Sequence, residues 1–191
     1  MKTKAKVTMN YGKCSPIERA NLIYMNYSTF EVIIECFKED LINDIQSEQQ
    51  YIRRSGQGEL GVRVQGSGMH SDPTASQAGS FILLDKLISD ETLSEEELGD
   101  LLDCENLLYR YRTLYLMKKD YHRFNLQLKK LEPSDRKIMI PFLNREKDYI
   151  QLSDEQGISI ESMRTRVYRI RKDMIMELSR NLVSVSGKEE P

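Results

Sequence analysis

Between Ser162 and Lys172 the chain carries Arg164, Arg166, Arg169, Arg171 and Lys172, interleaved with Ser162 and Thr165 and without an acidic side chain. Cations at that density hold phosphates, and short hydroxyl side chains between them can approach the edges of bases. On a helix, at about 100° per residue, turning Met163 and Val167 inward leaves Glu161, Ser162, Thr165, Tyr168, Arg169 and Lys172 outward. Arg164, Arg166 and Arg171 then lie on the flanks. The face suits the major groove of duplex DNA. Ser162, Thr165 and Arg169 are expected at base edges with Arg166 next to them, and Arg164, Arg171 and Lys172 on phosphates. A basic helix in isolation is more often a solvated cover on a core, so the elements that position this one decide the reading.

Those elements are in register. A short helical pattern, Tyr149–Gln156, precedes the turn Gly157-Ile158-Ser159, and a longer pattern starts at Ile160. Gly157 stands where the first helix must stop and reverse, a place for positive φ. Ser159 can cap the second helix by accepting a free N–H of its first turn. Met163, Val167, Ile170, Met174 and Leu178 recur at spacings of three and four, which makes one buried stripe. Two helices joined by a short turn containing glycine have the sequence form of a DNA-reading helix-turn-helix.

Pro133 to Leu178 resembles region four of bacterial sigma factors, above all the extracytoplasmic-function group. Leu131-Glu132-Pro133-Ser134-Asp135-Arg136-Lys137-Ile138-Met139 is similar to that family's first helix, and Gly157 to Lys172 to its turn and recognition helix. Gln156 departs from the pattern at a position usually apolar, and no stretch resembles region two. The resemblance implies promoter DNA as ligand and RNA polymerase as a neighbour. The whole order, helical first and sigma-like last, resembles phage- and prophage-encoded transcriptional regulators of Gram-positive bacteria.

Composition removes several other classes. The chain has 191 residues and a net charge of −2, so affinity for nucleic acid must come from local clustering. Cys14, Cys36 and Cys104 are odd in number and far apart, which speaks against a disulfide framework and for a reducing, cytoplasmic setting. They lack metal-ligand spacing, and neither His70 nor His122 sits near a cysteine, so no metal is expected. The basic start, Met1 to Val7, is not followed by an apolar core of signal-peptide length, and no stretch reads as a membrane span. Paired catalytic carboxylates, a nucleophile elbow and a convincing phosphate loop are all missing, so neither enzyme nor cofactor is expected. Gly56-Gln57-Gly58-Glu59-Leu60-Gly61 matches a dinucleotide fingerprint literally. It follows a helix rather than a strand and opens no helix, so chance composition explains it better.

The remaining sequence predicts an all-α chain: an elongated helical N-terminal region, then the C-terminal helix-turn-helix. Residues 1–28 read as irregular, with a turn at Asn10-Tyr11-Gly12 and Val7-Thr8-Met9 as a short strand. Ser28 or Thr29 can cap a helix running to about Arg54. A glycine-rich loop at 55–72 carries Arg63, which together with Arg53 and Arg54 could touch phosphate, although exposed cations are usually only solvated. Asp72-Pro73 reads as the start of a helix reaching about Ser89. Ser94 and Glu97 form a capping box for a helix continuing to about Lys130. About thirty-five residues at 1.5 Å each span about 50 Å, and such a rod needs partners: the two earlier helices, or itself in a homodimer. Tyr109, Tyr111, Tyr115 and Tyr121 at helical spacing read as core or interface residues before a base-stacking platform. The sigma-like domain occupies 131–182, and 183–191 is a tail.

Two other functions fit the same elements. A phage DNA-packaging recognition subunit, like a small terminase, also joins a DNA-binding helical domain to an oligomerising one. A protein-interaction module would use the basic helix to bind an acidic partner.

Overall fold

The structure is a computed structural model, and it describes residues 8, 10–55, 86 and 103–182. The described residues contain five complete helices: α1 (Pro16–Ser55), α2 (Cys104–Lys130), α3 (Pro133–Leu143), α4 (Tyr149–Gln156) and α5 (Ile160–Asn181). No strand occurs among the described residues. The all-α expectation holds for them.

α1 begins at Pro16, well ahead of the expected start at Ser28 or Thr29. Ser15 explains the correction. Its backbone N–H and its hydroxyl both donate to Glu18 Oε2, at 2.8 and 2.9 Å, and the Glu18 N–H returns a weaker bond to Ser15 Oγ at 3.4 Å. This reciprocal capping box, with Pro16 at the first helical position, starts the helix. Thr29 is no cap: its hydroxyl donates back to the Asn26 carbonyl at 3.3 Å, inside the helix. Thr8 is helical rather than extended, while Val7 and Met9 lie outside the described residues. The turn at Asn10-Tyr11-Gly12 is present, closed by Lys13 N–H on Asn10 O at 3.0 Å.

Ser55, expected in the loop, instead closes α1. Arg53 and Arg54 fall in that helix's last turn. The rest of the glycine-rich segment with Arg63, the helix expected from Pro73 apart from Lys86, which is helical, the Ser94–Glu97 capping box and the 183–191 tail lie outside the described residues.

The chain divides into two compact units: residues Met1–Glu35 with Thr113–Pro191, and residues Cys36–Arg112. The first unit therefore takes in the start of α1 as well as 131–182. Its core joins Ile23 and Phe30 of α1 and Phe124 and Leu128 of α2 to the buried faces of α3, α4 and α5. Tyr27 and Phe30 meet Phe124 and Tyr121 at ring separations of 5.5 Å each. Tyr121 is thus half-buried against those rings, whereas Tyr115 is exposed beneath Lys119.

Within this core three polar side chains are fully enclosed. Arg19 Nε lies 3.1 Å from Asp120 Oδ2, and both side chains are 0% exposed. The Tyr11 hydroxyl donates to the same oxygen at 3.1 Å. Burial pushes the Asp120 carboxyl above its usual range, against the pull of Arg19 and the Tyr11 hydrogen bond. In the second unit Phe37, Leu41, Ile45 and Leu107 are buried. There Arg110 covers the Phe37 ring at 5.6 Å and pairs with Asp44.

Candidate nucleic-acid interface

The local build of α4 and α5 follows from a few polar atoms. Asp148 caps α4, its Oδ1 accepting from the N–H groups of Ile150 and Gln151 at 2.9 Å each. The Gln151 side chain answers by accepting the Asp148 N–H at 3.0 Å. α4 ends on Gly157 in the left-handed region, φ 64° and ψ 30°. The Ile158 N–H reaches back to the Ser153 carbonyl at 3.1 Å, which satisfies the last turn. Ser159 caps α5, accepting from the Ser162 N–H at 3.2 Å, and its own hydroxyl donates to Ser162 Oγ at 2.8 Å. Gln156 is exposed, so a polar residue there costs no packing.

α5 packs on α4 and α3. Met163, Val167, Ile170, Met174 and Leu178 are buried as the spacing predicts, and Ile175 joins them. Leaving Ser162, Thr165, Arg169 and Lys172 exposed, this seating turns one continuous row of the helix to solvent. The Thr165 hydroxyl donates to the Glu161 carbonyl at 3.0 Å, so its oxygen keeps an acceptor face outward.

The flanking arginines divide into two groups. Arg164 is exposed, with its guanidinium 5.7 Å from the Tyr149 ring centre, at the edge of the row. Arg166 is committed instead. Its Nε and Nη2 both reach Asp135 Oδ1, at 3.0 and 2.6 Å, tying α5 to the first turn of α3. Arg171 is committed as well: Nη2 donates to Asn21 Oδ1 at 2.8 Å, and the guanidinium stacks 4.7 Å from the Tyr24 ring centre. Burial pushes the Tyr24 phenol up to about 12, with Arg171 pulling the other way. The residues expected at a base edge, Arg166, and at a phosphate, Arg171, thus each hold a partner within the first unit. Both side chains brace α5 against neighbours within the first unit, and their charges stay at its edge.

Sequence reasoning missed Asp135, Asn21 and Tyr24, the three partners of those braces. Nothing local marks them, because each partner lies far along the chain from its arginine. The Asp148–Gln151 capping box was legible as an Asp with Gln three residues on. Cys14, Cys36 and Cys104 are free, and no group of His, Cys, Asp and Glu among the described residues is arranged to hold a metal ion. No helix among them is long and apolar enough to cross a membrane.

Comparison with protein-family models, with curated proteins and with solved structures finds no match for the chain.

Proposed function

We propose that this protein is a sequence-specific, double-stranded DNA-binding regulator of transcription. It uses α4, the Gly157 turn and α5 as a sigma-region-four-like helix-turn-helix, and it acts at promoters beside RNA polymerase. The observation that carries the reading is the exposed row Ser162, Thr165, Arg169 and Lys172 on a helix whose other side is fixed by Met163, Val167 and Ile170. A rigid rod with two short hydroxyl side chains at its N-terminal end and cations beyond them fits a groove about 12 Å wide. Ser162 and Thr165 approach base edges, Arg169 reads a guanine edge, and Lys172 and Arg164 hold phosphates. Arg166 and Arg171 set the pose of the rod through Asp135, Asn21 and Tyr24.

The test is selection of bound duplexes from a random pool by the purified full chain, followed by titration of the winning duplex and a scrambled one at several salt concentrations. The reading expects a short consensus, with affinity falling linearly in log salt. Equal affinity for the selected and scrambled duplexes would remove sequence reading. Absence of binding to any duplex at low salt would remove DNA as the ligand.

A further inference from the structure

A cavity of about 670 Å³ opens beside the rear flank of α5, within the first unit. Its walls come from three places: Tyr24 and Met25 of α1, the segment joining α3 to α4, and Val167, Tyr168 and Arg171 of α5. The size falls within the ~300–1,000 Å³ typical of small-ligand sites. Three cations line it: Arg145, Lys147 and Arg171. Lys147 is paired with Glu155 Oε1 at 2.5 Å. Asp148 accepts from the α4 amides and Glu146 Oε1 from the Asn144 amide at 3.0 Å, and both keep their charge. Arg145 and Arg171 are thus the cations of the wall that carry no carboxylate partner in it.

Arg145 closes α3. It sits at φ 61°, the one non-glycine residue at positive φ among those described. Its N–H reaches the Phe142 carbonyl at 3.1 Å and the Glu146 N–H reaches the Pro141 carbonyl at 2.9 Å, so the left-handed residue is the helix's C-terminal turn, and it aims the side chain toward the cavity wall. Its guanidinium is exposed and makes one long bond, 3.4 Å to the Met25 carbonyl. On the opposite wall Tyr168 keeps 63% of its surface exposed, although it stands between the buried Val167 and Ile170. Phe142 and Tyr149, ring centres 4.8 Å apart, complete an aromatic lining.

We infer that this cavity is a binding site for a nucleoside phosphate, the base stacking on Tyr168 and the phosphate meeting Arg145 and Arg171. An aromatic face and a guanidinium pair are the two devices that recognise those two halves. The chemistry is shared by a free nucleotide and by the 5′ end of a nucleic-acid strand. The site is independent of groove reading, because a nucleotide can be titrated with no duplex present. Tyr168 and Arg171 belong to the helix that bears Arg169 and Lys172, so the bound anion lies next to the exposed row.

The experiment is a calorimetric and NMR titration of the full chain with three probes: the four ribonucleoside 5′-monophosphates, a 5′-phosphorylated hexanucleotide, and inorganic phosphate. The proposal expects saturable binding of at least one nucleotide-bearing probe, with amide shifts centred on Arg145 and Tyr168, and much weaker binding of phosphate alone. Tighter binding of a mononucleotide identifies the free nucleotide, and tighter binding of the hexanucleotide identifies a strand end. Arg145→Gly relieves the positive-φ strain and removes the guanidinium. It should melt at or above the wild-type temperature yet bind about tenfold more weakly or worse. Tyr168→Ala, at an exposed position, should fold normally and lose base preference. No saturable shift with any nucleotide at about 1 mM overturns the proposal. So do phosphate binding as tight as nucleotide binding, and wild-type affinity in both folded variants.

Discussion

Arg166 and Asp135 meet through two guanidinium nitrogens on one carboxylate oxygen, and the contact ties α5 to the start of α3. With 35% and 29% of the two side chains exposed, the pair is partly screened. A double-mutant cycle on Arg166→Ala and Asp135→Ala should therefore return a coupling of about 0.5–1 kcal/mol in chemical unfolding. Coupling indistinguishable from zero would mean the contact does not hold α5 in place.

Arg169 and Arg171 stand two residues apart and should behave differently. Arg169 is exposed. Arg169→Ala should leave stability unchanged, cost about 1–3 kcal/mol in specific DNA affinity and relax sequence preference. Arg171 is packed on Tyr24 and bonded to Asn21. Arg171→Ala should lower the melting temperature first and affect all duplexes alike. Paired measurements of thermal melting and duplex affinity decide, and a reversed pattern would exchange the two roles.

The C-terminal third was largely readable because its signals are local. Gly157, Ser159 and the Met163–Leu178 stripe act through neighbours three or four residues away, so their spacing alone places α4, the turn and α5. The same locality made the N-terminal misreading avoidable, since Ser15-Pro16-Ile17-Glu18 is a complete helix start. The partners of Arg166 and Arg171 were illegible for the opposite reason. A helical wheel divides residues into inward and outward, whereas flank positions are decided by whichever distant side chain arrives. Asp135 and Asn21 arrive through tertiary packing that no period encodes.

The turn supplies a cleaner test of backbone against packing. At Gly157 an added Cβ would meet nothing within 4 Å, so a substitution there acts through conformation alone. Gly157→Ala should cost about 1 kcal/mol, the penalty for placing a side chain in the left-handed region. Gly157→Asn should cost less, because asparagine tolerates that region better. Denaturant midpoints at constant m-value check both, and equal losses for the two variants would point to a buried clash instead.

Asp120 should give the fold an unusual dependence on acid. Burial raises its carboxyl above the ordinary value while Arg19 and Tyr11 oppose the rise. With the folded value above the unfolded one, the native state holds the extra proton in the interval between them. The stability this group contributes is full below the unfolded carboxylate value of about 3.9. It is lost as pH rises through the folded value. Asp120 thus opposes acid unfolding, contrary to an ordinary paired carboxylate. Replacing it with asparagine, which mimics the protonated carboxyl, should remove that slope. Unfolding free energies of wild type and Asp120→Asn, followed from about pH 4 to 7, test this. A wild-type curve steeper toward acid than the variant's would show that the ion pair, rather than burial, governs this carboxyl.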